Sequence, residues 1–205
     1  MNVKLIAAVV VLVVVIAGAF LLLTQRPEYP DIANPVPAKG NLQAKVVVEE
    51  FSDYQCPACI STEPYVEEIF KGFEGSIKFE YRQFPLTQIH NFAEKAAEAS
   101  FCAQDSGKFW EYHNLLFAAN GKLDNDSLVK MAKAAGIDEA KFNACIYSGK
   151  KEIRVKEDIA LGNSKAVTGT PSFFVNGEKV QGERLTEILA NLKILIQKKL
   201  QEASQ

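Results

Sequence analysis

From Leu5 to Leu23 every position except Gly18 is apolar, and the run carries no period. At a rise of 1.5 Å per residue this segment makes a helix about 28 Å long, close to the hydrocarbon thickness of a bilayer. One N-terminal transmembrane helix over residues 5–23 is therefore expected. Ala17-Gly18-Ala19 offers a signal-peptidase site. Cleavage there would leave Phe20-Leu21-Leu22-Leu23 as a greasy terminus, and the run exceeds the roughly 7–15 residues of a secretory apolar core. An uncleaved signal anchor is the reading that follows, with cleavage as the alternative. Lys4 and the terminal amine, against Arg26 offset by Glu28 and Asp31, put residues 1–4 in the cytoplasm and the rest outside the cell membrane. Residues 24–40, TQRPEYPDIANPVPAKG, hold four of the eight prolines and show no periodicity, which predicts a semi-extended spacer.

From residue 41 to 201 the pattern is that of a folded unit. KVVVEEF, residues 45–51, is a β-rich run that ends in the polar turn SDYQ, and helical spacing begins at Cys56-Pro57. Pro57 falls in a first turn, where its missing N–H has no intrahelical partner anyway. IKFEYRQF, residues 77–84, alternates as a second strand, and a helix between two strands predicts a parallel βαβ unit. Helical spacing then dominates: Phe92, Ala96, Ala99, Cys102 and Ala103 share a face, as do Phe109, His113, Leu116 and Phe117, and Leu128, Met131, Ala132 and Ala135. Phe142, Cys145 and Ile146 share another, and 151–165 reads as a charged, partly exposed helix. SFFV at 172–175, Asn176-Gly177 and Glu178-Lys179-Val180 form a hairpin signal, because a type I′ turn needs positive φ at both central positions. A helix from about residue 183 closes the chain. The fold class is α/β, with a helical insertion at about 88–165 between β-α-β and β-β-α.

Composition narrows the functions this unit can have. The chain of 205 residues is 48% hydrophobic with a net charge of −2, too apolar for disorder and too neutral for a dedicated nucleic-acid binder. Without the first 23 residues the hydrophobic fraction falls to roughly 43%, ordinary for a globular domain. Four cysteines are too few for a disulfide scaffold peptide.

Cys56-Pro57-Ala58-Cys59 lies where a strand gives way to a helix, so helix-terminal N–H groups and the macrodipole favour a thiolate. In this spacing the first sulfur faces outward and attacks while the second resolves, which makes the pair a redox candidate. Half of a zinc site is the alternative, but Cys102 and Cys145 form no second C-x-x-C, and His90 and His113 are scattered. An inert pair is the other alternative; no metal is expected. His113 reads as a core or groove residue, His90 as a loop or cap residue, and Phe109-Trp110 as packing in the insertion. Cys102 and Cys145 point inward on two helices, and an even set in an exported protein predicts a structural disulfide. Two reduced, buried cysteines are the alternative there.

In combination these residues resemble the thioredoxin superfamily, and within it the DsbA-like branch with its inserted α-helical domain. EFSDYQCPAC looks like that branch's active-site entry, with Cys56 as the attacking thiol and Cys59 as the buried one. Glu50, six residues before Cys56, is similar in position to the buried acid that exchanges a proton with the second cysteine, although alternation would equally allow Glu49 to point inward. Pro64 matches the proline that kinks the active-site helix. Thr170-Pro171 in VTGTPSFFVNG resembles the cis-proline loop that binds extended substrate, and FCAQDSGKFWEYHNLLF the inserted domain.

The resemblance implies a thiol:disulfide oxidoreductase that needs no cofactor beyond its redox-active disulfide. It would act on reduced exported proteins and be reoxidised by a membrane quinone-linked partner of the DsbB or vitamin-K-epoxide-reductase type. A monomer is expected, because the short segment before Lys45 cannot supply a dimerisation region. Ala58 stands where the strongest oxidases of the branch carry histidine, which implies an oxidant of intermediate strength. Reduction or isomerisation through the same pair, and a non-catalytic binding module, are the competing functions.

Overall fold

The computed structural model describes residues 35–205. The transmembrane helix expected at 5–23, with its cytoplasmic N-terminus, and the spacer up to residue 34 lie outside the described residues. Among the described residues no helix is long and apolar enough to cross a membrane.

A five-stranded mixed sheet carries the fold, in the order β1-β3-β2-β4-β5. Its centre is β2 (Val46–Ser52), parallel to β3 (Ile77–Gln83) on one side and antiparallel to β4 (Ser172–Val175) on the other. Helix α1 (Pro57–Phe73) crosses between the two parallel strands. Strand β5 (Glu178–Lys179) returns from β4 through Asn176 and Gly177, at φ of 48° and 80°, the conformation that the Asn-Gly pair predicts. The Asn176 side chain also accepts from Val47 N at 2.7 Å and donates to Lys45 O at 3.1 Å, which fixes the start of β2.

Five helices fill the segment between β3 and β4: α2 (Ala93–Gln104), α3 (Phe109–Ala118), α4 (Asn125–Ala134), α5 (Glu139–Ser148) and α6 (Glu152–Ser164). Asp124 and Asp138 cap α4 and α5 by accepting from Ser127 N and Lys141 N. Helix α7 (Leu185–Ala203) closes the chain, starting two residues later than the pattern suggests.

Two cores result. Val46, Val48, Ile77 and Phe79 of the sheet pack with Val66 and Phe70 of α1 and Leu192 and Ile196 of α7. The insertion has its own core around Tyr112, Leu116, Leu128 and Phe142, and it reaches the sheet through Tyr54, Cys59 and Tyr81. Trp110 does more than pack the insertion: its indole N–H donates to Ala38 O at 3.2 Å and its ring contacts both cores.

One expectation needs correction. The spacer does not extend to residue 40, because Ala38–Gly40 forms β1, an edge strand antiparallel to β3, and Pro37 O accepts from Tyr81 N at 3.0 Å. A three-residue strand is too short to show periodicity, and prolines are admitted at a sheet edge. Gly40 is required there: at φ 84° a Cβ would lie 2.6 Å from Ile77 O. Helix α6 is charged and partly exposed, as its composition suggests, and it buries Arg154 and Asp158. Asp158 is held by Arg82 Nη1 at 3.2 Å and by Gln83 N at 3.0 Å.

Cys102 on α2 and Cys145 on α5 are joined by a disulfide across a sequence separation of 43. Such a crosslink removes about 4 kcal/mol of loop-closure entropy from the unfolded chain. The double variant Cys102→Ala/Cys145→Ala is expected to lose stability of that order in urea unfolding, with the sheet retained in far-UV circular dichroism.

Candidate active site

The turn between β2 and α1 is built by two polar side chains. Asp53, buried, accepts from Gln55 N at 2.7 Å and from Leu86 N at 2.8 Å, and meets His90 Nδ1 at 2.7 Å. Gln55 accepts from Phe92 N at 2.6 Å and donates to Gly121 O at 3.1 Å. The loops before α2 and before α4 are thereby clamped to the turn, and His90 is a loop-fixing residue of this clamp. Sequence reasoning passes over Asp53 and Gln55, although an acid three residues before a C-x-x-C is the kind of side chain that can fold a turn back on its own amides.

This turn delivers Cys56 as the residue that opens α1, with extended backbone and with Pro57 at the first helical position. Cys56 and Cys59 are both free thiols. Cys56 is the less enclosed, 7% exposed against 1% for Cys59. Opposite them the Thr170–Pro171 peptide is cis, and the Cys56 thiol reaches Thr170 O at 3.5 Å. The structure thus brings Cys56, Cys59, Thr170 and Pro171 together, with Pro57 and Ala58 between the cysteines. Pro64 lies within α1 one turn beyond Cys59, exposed.

The two sulfurs differ in electrostatics. Cys56 is pulled down from the ordinary thiol value of 9.0 to about 5, first by the hydrogen bond from the Cys59 thiol. The Thr170 hydroxyl and the backbone N–H groups of Cys59 and Ala58 add to this, and partial burial opposes it. The Thr170 hydroxyl is buried without another partner, which leaves it available to a thiolate. Cys59 is pushed well up, by burial first and then by its neighbour Cys56. One sulfur is favoured as a thiolate and the other as a protonated thiol.

Both candidate acids of β2 are buried, on opposite faces of the sheet. Glu49 pairs with Lys165, and Arg82 Nε lies 3.8 Å from it. Glu50 is 1% exposed, its Oε2 has no hydrogen-bond partner, and it stands beside Tyr81 in the β2–β3 register. Burial raises its carboxyl to about 8, with Glu63 adding to the rise and Ser52 and Lys39 opposing it. Alternation along β2 cannot separate the two acids because helices cover both faces; the ion pair at Glu49 does. Among the described residues no group of three or more His, Cys, Asp or Glu is placed to hold a metal ion.

A C-x-x-C at a helix N-terminus, an acidic first thiol, a buried second one and a facing cis X-Pro bond make a dithiol site whose chemistry suits thiol–disulfide exchange. The chain belongs to the thioredoxin family, whose pattern matches residues 34–193. Among solved structures it is similar to BdbD of Bacillus subtilis in its oxidised form, with TM-score 0.69 and 24% identity over 81% of this chain and 93% of that one. The thiol-disulfide exchange protein alpha-DsbA2 of Wolbachia pipientis superposes with TM-score 0.67 and 25% identity over 82% and 87%. Among curated proteins it is 37% identical over 152 residues to the Na(+)/H(+) antiporter NhaA 1 of Salinispora arenicola, a match that takes 74% of this chain. The chain spans about a quarter of that relative's length, 23%, so the shared part is a minor segment of the antiporter.

Because the folded dithiol favours ionised Cys56, the stabilisation this brings is complete above the ordinary thiol range and is lost as pH falls through about 5. Thiolate absorbance of the reduced protein is expected to titrate with a midpoint near 5, and alkylation of Cys56 to follow the same curve. A midpoint near 9 would mean that the helix terminus and Cys59 do not activate it.

Proposed function

We propose that the protein is a membrane-anchored, extracytoplasmic thiol oxidase that introduces disulfide bonds into exported proteins. The observation that carries this reading is the opposite displacement of the two thiols. A stabilised Cys56 thiolate favours the dithiol over the disulfide, and a disulfide whose reduced form is favoured is an oxidant. Ala58 supplies no side-chain hydrogen bond to that thiolate, so the oxidising strength is intermediate.

The exchange balances as follows. A substrate thiolate attacks Cys56 Sγ of the Cys56–Cys59 disulfide, and Cys59 leaves with the bond's electron pair. Glu50, protonated in the oxidised resting form, gives that sulfur its proton. The mixed disulfide lies against Thr170-Pro171, whose backbone meets an extended substrate strand. A second substrate thiolate then attacks the substrate's own sulfur and releases Cys56 as a thiolate. Two electrons have moved to the enzyme, and no cofactor beyond the cysteine pair takes part. Pro57 shapes the first turn of α1, Ala58 sets the thiolate's surroundings, and Pro64 lies inside α1 about one turn beyond Cys59.

The two electrons leave through a membrane quinone-linked partner of the DsbB or vitamin-K-epoxide-reductase type, which an anchor at residues 5–23 keeps within reach, the N-terminus inside and the catalytic unit outside as a monomer. Reduction or isomerisation would run the same site in reverse. Trapping thiols with an alkylating reagent in growing cells separates the two: the oxidase requires Cys56 and Cys59 mostly as a disulfide, and a mostly reduced pair would reverse the assignment. With purified protein, Cys56→Ser is expected to abolish disulfide transfer to a reduced unfolded protein, since Cys59 alone cannot form the disulfide that is donated. Undiminished function of that variant in cells would leave a non-catalytic scaffold instead.

A further inference from the structure

The space between β2, β3, α1 and α3 holds a chain of polar groups that the exchange of two sulfurs does not by itself require. Tyr54 meets His113 Nδ1 at 3.1 Å, and His113 Nε2 meets Glu63 Oε1 at 3.1 Å. Tyr54 and His113 are each 1% exposed. The imidazole sits among the rings of Tyr81, Trp110 and Phe117, at 4.7, 5.1 and 5.0 Å between centroids. An imidazole in such surroundings is costly unless both nitrogens are partnered, and here both are. A carboxylate only accepts, so Nε2 carries the hydrogen toward Glu63, and Nδ1 accepts from the Tyr54 hydroxyl.

The end of this chain is Glu63. It lies four residues after Cys59, one turn further along α1, partly exposed and turned toward His113 of α3. Glu50 is the unpaired acid beneath that helix. A carboxylate near a buried carboxyl opposes that group's ionisation. Glu63 does raise Glu50, second only to burial. The other polar groups acting on Glu50 are Lys39 from β1 and Ser52 from its own strand, which both oppose the rise, and Tyr81 of β3, its register partner, feels both Glu50 and Cys59. Strand β4 presents Phe173 opposite it, which does not titrate.

We propose that His113, anchored by Tyr54, is a positioning residue that holds the Glu63 carboxylate beneath the active-site helix, where its charge governs how readily Glu50 releases the proton exchanged with Cys59. The inference rests on the proposed role of Glu50 as that proton's donor and acceptor. When the disulfide opens, Cys59 leaves with the electron pair and takes a proton from Glu50. When it closes, Cys59 returns the proton to the Glu50 carboxylate and attacks the Cys56 sulfur of a mixed disulfide. Glu63 and His113 exchange no proton in either direction; they set the field in which the transfer occurs. Lys39, held by Glu67 and lying 4.6 Å from the Trp110 ring centroid, sets the opposing limit.

The test follows closure of the full-length protein's Cys56–glutathione mixed disulfide by Cys59, with release of glutathione, as a function of pH. Infrared titration of the buried carboxyl in the same protein reads Glu50 without reference to activity. Glu63→Gln is expected to move the pH limb and the carboxyl band down together by roughly one pH unit, because the like charge is gone. His113→Phe, which keeps the ring and frees Glu63, shifts both in the same direction. His113→Gln, whose amide reaches the Nε2 position, restores them toward the parent values. Profiles of Glu63→Gln and His113→Phe that superimpose on the parent, while Glu50→Gln abolishes the limb, would reduce the chain to packing and overturn the proposal. A limb that survives Glu50→Gln would remove the role of Glu50 itself, and the proposal with it.

Discussion

The position of one sulfur atom organises the molecule. Cys56 must sit at the first turn of α1, near enough to the Cys59 thiol and the helix N–H groups to be stabilised as a thiolate, and 3.5 Å from Thr170 O of the facing cis-proline loop. No local interaction achieves this alone. Pro57 starts the helix, Asp53 folds the preceding turn onto its own amide and onto Leu86, and the cis peptide brings the 168–171 loop against the sulfur. Gln55 ties the same turn to two loops of the insertion. The helical insertion is therefore part of the scaffold that aims the site, through contacts at Phe92 and Gly121.

The sheet beneath the site solves an electrostatic problem differently on its two faces. On one face Glu49 is balanced by Lys165 and Arg82, and Glu80 and Asp158 complete the network. Buried pairs of this kind are poor evidence of stability, but once formed they leave no charge exposed to an apolar interior. On the other face Glu50 has no such partner, and its burial favours the protonated form. Burial raises both the Glu50 carboxyl and the Cys59 thiol, so one proton passed between them, as proposed, keeps the leaving sulfur neutral while the carboxylate takes the charge.

The sequence reveals these features unevenly. The C-x-x-C, Thr170-Pro171 and the Asn-Gly hairpin are legible because covalent spacing or a required φ places them whatever the surroundings. The helices of the insertion are legible from their apolar faces. Strand β1 is not, since three residues after two prolines carry no period and their position depends on β3, Trp110 and Phe70. Neither is the division between Glu49 and Glu50, which is made by an ion pair with a residue more than a hundred positions away. Tyr54, Glu63 and His113 lie on three separate elements, and only the packed interior brings them into one chain. Glu63 carries the one local hint, its i,i+4 spacing from Cys59. Of the sequence-level expectations, the membrane helix and the spacer up to residue 34 fall outside the described residues.

The central claim is that a thiolate stabilised at Cys56 makes the Cys56–Cys59 disulfide an oxidant. Its midpoint potential, measured by equilibration with glutathione redox buffers, tests this most directly. The stabilised thiolate, without a histidine at position 58, predicts a value between about −270 mV for thioredoxin and about −120 mV for the strongest oxidases of the superfamily. A potential at or below about −270 mV would contradict the account, because the site would then hold its disulfide too tightly to donate it.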